Sequence, residues 1–439
     1  MNPREAASFC FQKLENAGYE SYYVGGCVRD SLLGIEPHDF DLCTAATPEQ
    51  TMQVFSQEEL VLAGLKHGTV GVITPAGVVE ITTFRTEGSY KDSRHPDSVC
   101  FVTDVDADLA RRDFTVNAIA WSPKTGYRDP FGGRMDLQQR KLRAVGDARL
   151  RFEEDALRIL RGVRFAVRFS LTPDPLTLEA MFSQSHRLEH LAAERIADEL
   201  CKLLPLMNAQ DLMDYGAIFD RIIPELGRCF AFWQHSSHHK HDVFVHTAHV
   251  LAACEPDLTL RWAALLHDIG KVDTFSLDEQ GEGHFYGHAQ RSAQLAEDVL
   301  RRLKLPTALR EDVVFLVEKH MLLPQADRKL LRRWLSRFGQ RRLQLLLKLQ
   351  EADRIGTGTT DDSPFFREIE DILEQILQEN ACLTVKDLQI DGHDLMALGF
   401  QGKAIGQELA RLLNLVLDEQ IPNEREALLA ATGTPSELR

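Results

Sequence analysis

Up to about residue 145, short β-branched and aromatic runs alternate with glycine-rich or polar turns. SYYVGG, HGTVGVIT, GVVEITTF and VCFVTDV each read as a strand closed by turn residues. Beyond about residue 150 the apolar spacing becomes helical, in EEDALRILRGVRFAVRF, LTLEAMFSQ, ERIADELCKLLPLM, RWAALLHDIGK and RRLQLLLKLQEADRIG. In the first of these, Ala156, Leu160, Val163 and Val167 form an apolar stripe, with Arg158, Arg161, Phe165 and Arg168 roughly opposite. The expected fold class is α+β: a mixed α/β head over 1–145, a helical neck over 146–230, a helical domain over 231–358 and a helical tail over 359–439. LDEQGEGHFYGH and GTGTTDDSP are expected loops.

Composition narrows this picture. A chain of 439 residues exceeds one ordinary core, so several domains are expected. No apolar run reaches membrane-spanning length, and the charged N-terminus lacks a signal core. The eight cysteines are scattered without CxxC spacing, which argues against a zinc ribbon or disulfide framework and for a reducing cytoplasm. A net charge of −16 argues against a protein that coats nucleic acid, so any such contact must come from a local cluster. Arg328 to Lys348, RKLLRRWLSRFGQRRLQLLLK with Trp334 and Phe338 interleaved, is one candidate; Arg161, Arg164 and Arg168 form another.

The stretch VGGCVRDSLLGIEPHDFDL, Val24 to Leu42, carries the first candidate chemistry. If HDFDL is a strand, Asp39 and Asp41 share one face about 6–7 Å apart, suited to oxygen-only coordination of Mg²⁺. Gly25 and Gly26 let backbone N–H groups approach a triphosphate. In DLARRDFTVNAIA, Arg111 and Arg112 suit phosphate oxygens and Asn117 suits ribose or triphosphate.

The whole string resembles the signature of class II nucleotidyltransferases, the tRNA CCA-adding enzymes and bacterial poly(A) polymerases, and the resemblance runs through nearly the whole chain. It implies a polymerase-beta-like head, Mg²⁺ on Asp39 and Asp41, Glu80 as a third carboxylate, and a nucleotide set of Gly25, Gly26, Arg29, Arg111, Arg112, Asp113 and Asn117. It also implies a loop from Arg85 to Pro96, containing Gly88, Ser89, Lys91, Arg94 and His95, that is needed to add A.

Asp155 and Arg158, three apart on a helix, offer a way to choose a base. Cytosine and adenine both place an amino donor beside a ring-nitrogen acceptor; uracil and guanine reverse that order. A carboxylate only accepts and a guanidinium only donates, so the pair matches C and A and opposes U and G. The string EDALR resembles the family's base-reading motif, with Arg161 and Arg164 further nucleotide-binding candidates, and EHLAAERIADEL resembles a bracing element. The implied activity is template-independent addition of CCA to tRNA from CTP and ATP. An A-adding enzyme or poly(A) polymerase is the alternative on the same scaffold.

A second set, His246, His267-Asp268 and Asp353, matches the order of the HD phosphohydrolases, and 231–358 is expected to be an HD domain. His288 and His320 are candidates for a second metal and Lys271 for a phosphate contact; a divalent transition metal is the expected ion. The further expectation is a metal-dependent phosphohydrolase activity beside nucleotidyl transfer, with an HD phosphohydrolase carrying a tRNA-binding head as a further alternative. His238, His239 and His241 remain unassigned.

Overall fold

The strands expected near the N-terminus join one sheet in the computed structural model, which describes residues 1–87, 99–235, 240–358, 363–379 and 381–433. They are β1 (Ser21–Val24), β2 (Asp41–Thr44), β3 (Leu60–Val61), β4 (Thr69–Thr74) and β5 (Gly77–Thr83). A separate ribbon, β6 (Arg85–Glu87) against β7 (Val99–Phe101), precedes β8 (Ala120–Ser122) and β9 (Gly126–Arg128). The sheet order is β3-β4-β5-β2-β1-β8-β9, antiparallel throughout except for parallel β2 and β5.

That parallel pair matters for chemistry. Leu42 lies opposite Ile81, so Asp41 and Glu80, one residue earlier on each strand, stand level at the same end. The expected strand is shorter than HDFDL, since β2 begins at Asp41 and Asp39 lies in the segment before it. The reason is the partner: Val24, opposite Asp41, is the last residue of β1, and the chain then turns at Gly25 into the helix Gly26–Leu32.

The chain packs into two units, Met1–Leu206 with Tyr215–Ile222, and Met207–Asp214 with Ile223–Arg439. The expected head and most of the expected neck fall in the first. The expected helix over 153–169 is in fact two, Ala148–Glu154 and Leu157–Phe169, broken at an extended Asp155. Its carboxylate supplies the cause: Oδ1 accepts the N–H of Leu157 at 3.1 Å, the capping use that favours aspartate at helix starts. The second helix is buried on more sides than its stripe suggested, with Arg158, Arg164 and Phe165 inside as well as Leu160 and Val163.

The second unit is helical. Its helices Val243–Ala253, Leu258–Leu266, His288–Arg302, Thr307–Lys319 and Gln340–Thr357 pack around a fully buried Trp262. LDEQGEGHFYGH folds into a small hairpin, Ser276–Leu277 with Gly283–His284. In the basic segment, Arg328 pairs with Glu379 and Glu419, Arg333 with Asp418, Arg341 and Arg342 with Asp312, and Lys348 with Glu255. Trp334 and Phe338 pack against the apolar cluster around Leu331, Leu335 and Leu343. Most of that cationic cluster is therefore committed to carboxylates of its own unit. Among the described residues no helix is long and apolar enough to cross a membrane.

Candidate active site and a second ligand cluster

In the first unit a cavity of about 530 Å³ gathers Gly25, Gly26, Arg29, Asp41, Arg111, Arg112, Asp113, Asn117, Asp155, Arg158 and Arg161. These come from four local pieces of chain, brought together by the end of β1, the start of β2 and the helix break at Asp155. Gly25 has φ +69°, a conformation that favours glycine, and a Cβ there would press on the Arg112 guanidinium at 3.1 Å.

Charges around the cavity are tightly ordered. The cavity edge of Asp41 is exposed, but its enclosed surroundings, and then the neighbouring Glu80 carboxylate, push its carboxyl up to about 6. Arg112 opposes that rise and Asp39 adds to it. A carboxyl held up by two neighbouring carboxylates is a setting a divalent cation relieves. Arg111 and Arg112 are both held by buried Asp108, at 2.9 and 3.3 Å. Burial alone would raise Asp113, but Arg161 at 2.6 Å and the Asn117 amide hold it down to about 2. Asn117 in turn accepts from Arg29, which also bonds Asp30 and lies 4.2 Å over the Phe169 ring.

The Asp155–Arg158 pairing takes a different form from a simple i, i+3 contact. Arg158 donates to Glu154 at 2.7 Å and to the carbonyls of Arg151 and Arg111. Asp155 instead takes Arg195, from the helix Ala193–Leu203, at 2.8 Å on Oδ2. Both side chains still face the one cavity. Arg164 does not: it is buried in an ion pair with Glu199 at 2.6 Å, so its expected nucleotide contact is corrected to a structural one. His67, Arg85 and Arg195 also line the cavity; His67 carries no local motif, while Arg85 opens the expected loop and Arg195 belongs to the expected bracing element, neither read from sequence as lining this cavity. The expected loop residues Gly88, Ser89, Lys91, Arg94, His95 and Pro96 lie outside the described residues, as do His238 and His239.

In the second unit, His246, His267 and Asp268 bring one ligand atom each within 4.8 Å of one another, and Asp268, His288 and His320 do the same. Asp353 joins the first group, 3.0 Å from His246 Nε2. The two oxygens of Asp268 divide: Oδ2 lies 3.2 Å from His267 Nε2, and Oδ1 lies 3.4 Å from His288 Nε2. The Nδ1 atoms of His267, His288 and His320 lie 2.7–2.8 Å from the carbonyls of Ala264, Phe285 and Val317. If each Nδ1 carries the proton it donates there, each Nε2 is a bare acceptor. His288 and His320 then turn two lone pairs toward each other across 3.3 Å, an arrangement that calls for a cation. Burial, and next the neighbouring His267, push His320 down to about 4. Lys271 sits 2.6 Å from Asp268 and 2.8 Å from the Gln234 side-chain oxygen.

Three family profiles match the chain: the Poly A polymerase head domain over residues 21–143, the RNA and SrmB-binding site of polymerase A over 170–229, and tRNA nucleotidyltransferase domain 2 over 284–432. The CCA-adding enzyme of Levilactobacillus brevis is 35% identical over 436 residues, covering 97% of each chain. The CCA-adding enzyme of Streptococcus pyogenes is 50% identical over 192 residues, 44% of this chain and 47% of its own. Among solved structures, the Bacillus stearothermophilus CCA-adding enzyme in complex with CTP superposes with a TM-score of 0.74 at 28% identity, covering 98% of this chain and 96% of that one. The head with its Gly-Gly turn, the cavity beside the helix break at Asp155 and the full-length relative agree: the chain belongs to the CCA-adding enzymes.

Proposed function

We propose that this chain adds cytidine, cytidine and adenosine to the 3′ end of tRNA, taking CTP and ATP in one site and using no nucleic-acid template. The observation that carries the reading is a single cavity with Asp41 in one wall and Asp155 and Arg158 in another. Gly25 and Gly26 keep side chains away from the triphosphate path. Arg29, Arg111, Arg112 and Arg161 supply positive charge beside it, and Asn117 and Asp113 hold Arg29 and Arg161 in place. Asp155 accepts from the exocyclic amine of C or A while Arg158 donates to the neighbouring ring nitrogen. Uracil or guanine would set like against like on both contacts.

Asp39, Asp41 and Glu80 fit a divalent cation, Mg²⁺ by their all-oxygen character. When bound, it supplies positive charge to the reacting oxygens. The test is a tRNA ending at its discriminator base, given CTP and ATP singly and together, with products resolved to one nucleotide. Two added residues with CTP alone and three with both are expected. A single A added only to a CC end identifies an A-adding enzyme, and long A tails a poly(A) polymerase; either overturns the reading.

A second activity, metal-dependent hydrolysis of phosphate esters, is favoured by the bare Nε2 pair of His288 and His320 beside the His246, His267, Asp268 and Asp353 group. Imidazole with carboxylate suits Mn²⁺, Ni²⁺, Zn²⁺ or Fe, and Lys271, now paired with Asp268, is the cation nearest the cluster for a phosphate oxygen. Hydrolysis of bis-p-nitrophenyl phosphate or p-nitrophenyl phosphate by the metal-loaded chain, lost in His267→Ala, is the expected result. Silence with all four metals would count against it.

A further inference from the structure

We propose that Arg195 is a specificity-determining residue of nucleotidyl transfer, and that its ion pair with Asp155 keeps U and G out. This rests on the reading of Asp155 and Arg158 as the base-selecting pair. Three observations carry it. Arg195 donates to Asp155 Oδ2 at 2.8 Å while Leu157 N–H holds Oδ1 at 3.1 Å, so the carboxylate is fixed at both oxygens. Arg195 lines the same cavity as Asp41, Asp155 and Arg158. Its Nη1 is buried and has no hydrogen-bond partner among the described residues, leaving an unsatisfied donor beside the base-selecting carboxylate.

The consequence follows from hydrogen-bond polarity. Discrimination of C and A from U and G depends on an acceptor standing where the exocyclic group arrives. A carboxylate free to turn about its χ angles would vacate that position, and a guanidinium would then offer N–H donors to the O4 of uracil or the O6 of guanine. The ion pair acts against both failures: it immobilises the acceptor and commits the guanidinium to Asp155 through Nη2, so that Nη1 is held beside the acceptor and not in its place. Arg195 thus has two opposite capacities. Paired with Asp155 it supports selection of C and A; without Asp155 it would favour carbonyl-bearing bases. Bracing of a helix alone would not create that dependence.

The test is a double-mutant cycle on the full chain, read as the ratio of CTP to UTP incorporation at the first position of a tRNA lacking its CCA end. Arg195→Ala is expected to lower the ratio at least about tenfold, a loss of about 1.4 kcal/mol of discrimination. Arg195→Lys, which keeps a donor and a charge, should recover part of it. Asp155→Ala alone should raise UTP use, and adding Arg195→Ala should remove that gain, a non-additivity expected of two residues in contact. Equal losses of CTP and UTP use in Arg195→Ala, or additive effects in the double variant, overturn the proposal. Equilibrium dialysis with labelled CTP and UTP gives the same ratio without turnover. It separates failure of this inference, unchanged binding ratios in the variants, from failure of the proposed reaction, no extension by wild type.

Discussion

In the first unit the proposed cation ligands are carboxylates with an edge toward solvent; in the second, four histidines and Asp268 are nearly closed off, with only Asp353 partly open. The contrast reflects what each place must admit. A site that receives a triphosphate and a growing RNA end needs open oxygen ligands and cations held in reserve, as Asp108 holds Arg111 and Arg112. In the second cluster three imidazoles are fixed through Nδ1 to backbone carbonyls, which turns their Nε2 atoms toward one another and toward Asp268. The first is specific through polarity around a cavity, the second through ligand geometry.

The sharpest way to break the comparison is to remove one carboxylate from each site. Asp41→Ala should lower nucleotidyl transfer by about a thousandfold or more while leaving metal content of the second cluster unchanged. Asp268→Ala should do the reverse, abolishing metal retention there, as read by inductively coupled plasma mass spectrometry, with transfer kept within about twofold. Loss of both functions in either variant would show that the sites are not separable.

Next in size is nuclearity. If Asp268 serves both groups, the metal-loaded wild type should hold two ions in the second unit, and His288→Ala with His320→Ala should hold one. An unchanged metal count in the double variant would reduce His288 and His320 to buried structural histidines.

Proton linkage gives a smaller, signed effect. The Asp41 carboxyl is pushed up to about 6 from an ordinary 3.8. Without cation the folded chain therefore holds this proton more tightly than the unfolded chain. Its contribution to stability is fully present below about pH 4 and is lost as pH rises through about 6. Asp41→Asn removes that dependence, so its melting temperature relative to wild type should rise between pH 4 and 7. Mg²⁺ binding by wild type should weaken as pH falls through the same window, measurable by titration calorimetry. A difference in melting temperature that is flat with pH would contradict the assigned shift.

The smallest effect belongs to the basic segment. Arg333 is an exposed ion-pair member with Asp418, so Arg333→Ala should leave the midpoint of chemical denaturation nearly unchanged. It should leave tRNA affinity within about twofold, because its charge is already engaged. A large affinity loss would restore the segment as an RNA track.

Local patterns carried much of this architecture. The Gly-Gly turn opens a helix as its residues suggest and the ordered His/Asp set gathers in space, whereas the DxD run enters its strand only at Asp41. What the pattern could not show depended on partners distant in the chain. The apolar period runs unbroken across Asp155, so its helix break emerges only where a side chain competes for a backbone N–H. Arg195 reads only as part of a bracing helix until its partner, 40 residues away, is in place. Arg164 reads as one of a row of cations, yet Glu199 takes it inward. The Arg328–Lys348 charge looks free because Glu379, Asp418, Glu419, Asp312 and Glu255, which neutralise much of it, lie far along the chain.

The central claim is that one protein cavity reads two bases. Titration calorimetry of the full chain with each of the four ribonucleoside triphosphates, and then with ATP in the presence of saturating CTP, tests it most directly. The account predicts one site per chain for which CTP and ATP compete, with UTP and GTP at least about tenfold weaker. Independent sites for CTP and ATP, or equal affinity for all four, would contradict it.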